Sequence, residues 1–168
     1  MKKYNKKEII EFLEESNHIE QEYGQLSLQQ SLLAWEYLKK LKKLTVSSIL
    51  KTHKILMLYQ PLYPNEKGYF RRYEVTVGGR FGLNWIKVPD ATKAWVKLIN
   101  HKTNNEDDIK FHHIEFEKIH PFVDGNGRTG RLLMTWERMQ AGLPLLIIHA
   151  DWPKEDGEQK SYYKWFKD

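Results

Sequence analysis

Apolar and polar positions alternate at helical spacing through most of the chain, with one break. Ile9, Ile10, Phe12 and Leu13 form an apolar stripe that predicts a helix over 5–15. Asn5 is placed to cap it, with Glu8 at the third helical position, and Ser16 to Gln21 continues or restarts it. A second helix begins near Ser27, where Ser27 and Gln30 fit a capping box. Leu28, Leu32, Trp35, Leu38 and Leu41 follow along it. Thr45 caps a third helix running to about Tyr59. Pro61, Pro64, Asn65 and Gly68 then interrupt the pattern. From 69 to 88 the period changes from helical to alternating. Tyr73-Glu74-Val75-Thr76-Val77 reads as a strand, Gly78-Gly79 as a turn, and Trp85-Ile86-Lys87-Val88 as a second short strand ended by Pro89. Asp90 caps a fourth helix over about 91–103, and Asn104 to Asp108 is a polar loop. A fifth helix runs from Ile109 to Ile119, and a sixth from Asn126 to Ala141, stopped by Gly142 and Pro144. A last short helix holds Tyr162, Tyr163, Trp165 and Phe166. The expectation is a mainly α fold with one β-hairpin, in a single domain over 1–168.

Composition narrows the class. Of 168 residues, 40% are hydrophobic and 13% aromatic, which supports a packed core. There are no cysteines, so disulfides and thiolate zinc sites are excluded, and a reducing, cytoplasmic setting is expected. No apolar run approaches the roughly 18 residues of a membrane span. The basic N-terminus leads into an amphipathic helix and not an apolar signal core; secretion by a specialised system stays open. The net charge of +5 is spread along the chain with no basic stripe, so a nucleic-acid partner is not expected.

The chemistry concentrates in His120-Pro121-Phe122-Val123-Asp124-Gly125-Asn126-Gly127-Arg128-Thr129-Gly130-Arg131, followed at once by Leu132-Leu133-Met134. This is a tight turn feeding a helix. Small residues let backbone N–H groups approach a ligand, and a helix N-terminus favours an anion, above all a phosphate. Arg128 and Arg131, three apart, share a helix face and can grip phosphate oxygens. Asp124 supplies the hard oxygen that Mg²⁺ prefers when it also holds phosphates. His120, with an ordinary pKa near 6.5, offers a proton-accepting imidazole at neutral pH. Together these suggest a nucleoside triphosphate, a magnesium ion and a base. His53, His112 and His113 lack such a context, and the last two are expected on a helix surface or in helix packing.

These residues resemble the HxFx[D/E]GNGRxxR signature of the Fic/Doc family, with every fixed position filled. The resemblance implies the Fic fold, with 109–141 as its helix-loop-helix core, and a protein adenylyltransferase that moves AMP from ATP to a Ser, Thr or Tyr hydroxyl. It implies His120 as the base and Asp124 as the Mg²⁺ ligand. Gly125, Asn126 and Gly127 become the anion hole, with Asn126 at the α-phosphate, Arg128 at the β- and γ-phosphates and Arg131 at the γ-phosphate. In the Doc branch a lysine replaces the glycine found at 125, and the reaction becomes phosphate transfer; glycine here favours AMP transfer. Val75, Thr76, Val77 and Gly78 correspond to a flap that pairs with an extended segment of the target protein. Tyr162 and Tyr163 lie where family members keep aromatics against the adenine.

Ser16-Asn17-His18-Ile19-Glu20-Gln21 resembles the family's inhibitory motif [S/T]xxxE[G/N], with Gln21 as the departure. In the subclass that carries this brake before the core, here within 1–24, Ser16 and Glu20 belong to the inhibitory helix. Glu20 pairs with Arg131 where the γ-phosphate would sit. The rival readings are removal of AMP, transfer from a different nucleotide or phosphate donor, and, from another class, a domain that senses ATP without catalysis. A homo-oligomer is left open.

Overall fold

The computed structural model describes residues 2–101, 103 and 105–167, and for Arg80 the backbone alone. Among the described residues seven α-helices carry the fold: α1 Lys6–Ile19, α2 Gln25–Leu38, α3 Val46–Leu56, α4 Val88–Ile99, α5 Glu106–Ile119, α6 Asn126–Ala141 and α7 Glu158–Tyr163. The sheet is two short strands, β1 Thr76–Val77 and β2 Arg80–Phe81. The architecture is mainly α, as expected.

The helix starts follow their caps. The Asn5 side chain accepts from the Glu8 N–H and Glu8 returns the bond, so α1 opens on a capping box and runs unbroken through Ser16. Thr45 and Ser48 do the same for α3. The second helix differs from expectation. It starts two residues before Ser27, after Gly24, and the Ser27 hydroxyl donates to Glu22 instead of capping. The fifth helix also starts early. Asn105 accepts from the Asp107 N–H, and Glu106, Asp107 and Asp108 fill the first turn, where carboxylates offset the partial positive charge of the helix end. The polar loop expected at Asn104–Asp108 is therefore mostly helix, with Asn104 itself outside the described residues.

The hairpin is smaller than its sequence pattern. Thr76 pairs with Phe81 and Val77 with Arg80, around a Gly78-Gly79 turn in which both glycines have positive φ. The second strand expected at Trp85–Val88 does not form. The Asn84 side chain accepts from the Ile86 N–H and starts a 3-10 turn over Trp85–Lys87, which runs directly into α4 with Pro89 in its first turn.

The core organises around α6. Thirteen of its sixteen residues are buried, with neighbours on all sides. Leu132, Leu133, Trp136 and Met139 join the main core with Phe12, Leu13, Trp35, Phe116 and Phe122. On the other side Met134 packs with Ile19, Ile109, Ile148 and Tyr162 in a second, smaller core. The helix that begins at the candidate anion site is thus the scaffold of the domain. Among the described residues no helix is long and apolar enough to cross a membrane.

Candidate active site

His120 caps α5 in the left-handed region, at φ 48° and ψ 64°. A residue before proline is disfavoured in a right-handed helix, so α5 stops there and the chain turns. Phe122 to Asn126 then closes a loop. The Asn126 side chain accepts from the Phe122 N–H and donates to the Phe122 carbonyl, both at 2.9 Å. Asn126 thus shapes the loop through its amide, which leaves its backbone N–H for a ligand. Gly125 caps α6 at φ 75°, and a side chain there would run into Met57. The first N–H groups of α6 therefore face the loop mouth with no intrahelical partner.

Two residues that sequence reasoning passed over hold this loop. The His53 ring stacks on Phe122 at 3.7 Å between centroids. Its Nδ1 accepts from the Gly68 N–H at 2.9 Å, so its Nε2–H is left to donate to the Asp124 carbonyl at 2.9 Å. Burial pulls its pKa down to about 4, which keeps the ring neutral and this bonding pattern intact. Arg71 is the second. Its side chain is fully buried. Its Nε donates to the His120 carbonyl at 2.7 Å, Nη1 to Tyr73 at 3.0 Å, and Nη2 to the carbonyls of Leu83 and Ile119. One guanidinium therefore ties both legs of the hairpin to the end of α5. An arginine in a Phe70-Arg71-Arg72-Tyr73 run carries no sequence mark of this role.

His120 has a side-chain exposure of 20%, and its Nδ1 has no hydrogen-bond partner. Burial lowers its pKa, with the Arg71 charge acting in the same direction. The imidazole is neutral at physiological pH and can accept a proton. Asp124 is exposed at the loop mouth, with one carboxylate oxygen 2.6 Å from the Gly125 N–H. Among the described residues no group of three acidic, His or Cys side chains forms a metal cage. A single exposed carboxylate fits Mg²⁺ that takes its other ligands from phosphates and water.

The two arginines of α6 are both buried but differ in bonding. Arg128 Nε and Nη1 have no partner, and its Nη2 meets only the Met57 sulfur at 3.5 Å. A buried guanidinium with unpaired N–H groups is costly unless an anion completes it. Arg131 is occupied. Its Nε donates to the Ser16 hydroxyl at 2.8 Å, and its Nη2 to the Ser16 carbonyl at 2.9 Å and to Glu20 Oε1 at 2.8 Å. The Glu20 carboxylate rests against Gly127, where any side chain would collide with it.

Tyr162 is 3% exposed, and its hydroxyl accepts from Arg131 Nη1 at 3.4 Å. Its own proton is then free for His113 Nε2 at 2.9 Å. His113 is buried, its pKa pulled down to about 3 by burial and by Arg131. His112 is buried against Glu137 at 2.7 Å. Both histidines are packing residues and neither is on the surface. Tyr163 is partly exposed beside Tyr162. In the hairpin, Val75 and Val77 are half-buried, Thr76 and Gly78 exposed, and β1 has only β2 as a neighbour among the described strands.

A model of the Fic/DOC family matches residues 43–137. The chain is 35% identical over 133 residues to a protein adenylyltransferase Fic of Drosophila virilis, covering 74% of this chain and 25% of that protein. It is 36% identical over 132 residues to the corresponding protein of Drosophila mojavensis, covering 74% and 24%. The chain thus spans about a quarter of the length of these curated relatives. Among solved structures, a Fic domain containing signaling protein from Bacteroides thetaiotaomicron superposes with a TM-score of 0.79 at 21% identity, covering 95% of this chain and 70% of that one. Fic-1 from C. elegans gives a TM-score of 0.68 at 19% identity, covering 96% and 57%. These structural likenesses speak for the fold.

Proposed function

The chain belongs to the Fic/DOC family, and from that premise we propose that it is a protein adenylyltransferase held in check by its own first helix. The substrates are ATP and a Ser, Thr or Tyr hydroxyl on an extended segment of a target protein. His120 Nε2 takes the hydroxyl proton. The oxygen bonds to the α-phosphorus, the bond to the bridging β-phosphate oxygen breaks, and pyrophosphate leaves with that electron pair. The N–H groups at the start of α6 stabilise charge developing on the α-phosphate. Arg128 holds the β- and γ-phosphates. Asp124 would hold Mg²⁺, which offsets phosphate charge when bound. The outer edge of β1, over Val75 to Gly78, adds the target as a further strand, and this orients the hydroxyl. Tyr163, with Tyr162 behind it, flanks the adenine.

The observation that carries this reading is the contrast between the arginines. Arg128 is buried with unpaired donors, as a phosphate site requires, whereas Arg131 is saturated by Ser16 and Glu20. In this state Glu20 occupies the place of the γ-phosphate, and leaving Arg131 admits productive ATP.

The test uses α-labelled ATP, Mg²⁺ and a cell lysate with wild type, Glu20→Gly and His120→Ala. Label on protein from Glu20→Gly, weak label from wild type and none from His120→Ala is the expected result. ATP binding without label in any variant would point instead to a sensor. Glu20-dependent loss of label from a pre-modified protein would point to AMP removal.

A further inference from the structure

Glu117 lies one turn before His120 on α5 and has no part in the reaction as described so far. Its side chain is only 13% exposed, and its Oε2 is 3.9 Å from His120 Nδ1. Glu117 Oε1 and His120 Nδ1 are both buried, and neither has a hydrogen-bond partner. His120 Nδ1 thus lacks a partner while Glu117 Oε2 stands just beyond bonding distance on the same helix end, with Oε1 turned toward Gly130. The opposite wall is built to admit the carboxyl. A side chain at Gly130 of α6 would collide with Glu117 Oε1, so the glycine within the Arg128–Arg131 turn makes the room. A buried polar group without a partner costs free energy, and closing the 3.9 Å gap between Oε2 and Nδ1 would give the buried imidazole its acceptor.

We propose that Glu117 is the positioning carboxylate of the base: it accepts the His120 Nδ1–H, which aims the Nε2 lone pair at the target hydroxyl and stabilises the imidazolium formed there. This rests on the adenylyltransferase reading above. Proton transfer from the hydroxyl ends on Nε2, and Glu117 keeps its own charge throughout. The groups around the pair come from every neighbouring element. His113 of α5, Arg131 of α6, Glu20 after α1 and Tyr162 of α7 face Glu117; the Glu117 backbone carbonyl, Arg71, Glu20 and Asp124 face His120. Burial raises the Glu117 pKa to about 7, against the pull of Arg131, and Glu20 raises it further. Ionised Glu117 is present above that value and is lost as pH falls through it. Removing the Glu20 charge therefore favours the ionised form, so release of the brake also readies the base.

Two measurements test this. In the Glu20→Gly protein, adding Glu117→Gln should lower kcat by about 10- to 100-fold with target KM unchanged. It should also move the acid limb of the kcat profile to lower pH, because His120 alone then sets it. Separately, nitrogen-15 imidazole NMR of the full chain needs no turnover. His120 should be the Nδ1–H tautomer in wild type and a mixture in Glu117→Ala. An unchanged acid limb, or an unchanged tautomer in Glu117→Ala, overturns the proposal. If Glu20→Gly transfers no AMP at all, the functional reading fails while the tautomer still decides this one.

Discussion

Glu20 and Arg131 are joined by a 2.8 Å ion pair that spans 111 residues of sequence. Arg131 is buried and Glu20 is 37% exposed, so the pair has one fixed and one releasable member. A charge-assisted hydrogen bond contributes roughly 1.5–3 kcal/mol, and the exposure of Glu20 argues for the lower end. Glu20→Gly should therefore tighten ATP binding and raise AMP transfer by about tenfold. Ser16→Ala removes one acceptor from Arg131 and should act in the same direction with a smaller effect. Calorimetric ATP affinities and initial labelling rates would check both. An affinity in Glu20→Gly equal to wild type would show that the pair does not compete with nucleotide.

Arg71 links both hairpin legs to the end of α5. Arg71→Met keeps the length and apolar stem but removes the donors to His120, Ile119, Tyr73 and Leu83. Four carbonyls lose their partner, so a loss of about 3 kcal/mol in stability is expected. Backbone amides of 72–84 should exchange with deuterium much faster, and ATP affinity should change far less than transfer rate. Unaltered exchange in that segment would contradict the tie.

Acid stability follows from His53 and His113. Their folded pKa values are about 4 and about 3, both below the ordinary 6.5. At these two sites the unfolded chain therefore binds protons first, so their contribution to stability is full above about pH 6.5 and falls as pH drops toward 4 and 3. The two histidines lose on the order of 6 kcal/mol by pH 4, while buried Glu117, its pKa raised to about 7, takes up a proton in the folded state first and returns roughly half of that, so the net loss is about 3 kcal/mol. Melting temperatures from pH 7.5 to 4 measure it. Replacing His113 with Gln, which keeps a hydrogen-bonding group for Tyr162, should flatten part of the decline.

Asp124→Asn removes the exposed carboxylate at the loop mouth while the His53–Asp124 backbone bond remains. ATP binding without metal should persist, and the gain in affinity on adding Mg²⁺ should vanish. A magnesium effect of the same size in the variant would place the ion elsewhere.

The fold class and the loop at 120–131 were legible because both depend on local order: helical spacing, caps, and residues adjacent in sequence. The helix boundaries failed where a distant or competing bond won, as when Ser27 turned to Glu22. The hairpin alternation overran its true length because Asn84 starts a turn that the pattern of apolar residues does not encode. The roles of Arg71, His53 and Glu117 have no clear mark in the sequence for one reason. Each acts through backbone atoms or a neighbour brought close only by folding, and none sits in a motif. Glu117 did leave a trace, three residues before His120 on a helix, a spacing that puts both on one face. In sequence Tyr162 reads as an adenine-wall candidate and His113 as a helix-surface or helix-packing residue; only the folded contacts show that they brace Arg131.

The burial of α6 on nearly every side has a practical consequence for anyone choosing an inactive control. Arg128 and Arg131 are anchored in the same helix that fills both cores, so changing either disturbs architecture and chemistry together, and a dead variant there reports little. His120 stands apart, on the linker after α5 and partly open to solvent. On the proposed reading, substitution at that one position should silence the reaction while leaving the scaffold intact. It is the cleanest background for trapping a nucleotide or a partner without turnover.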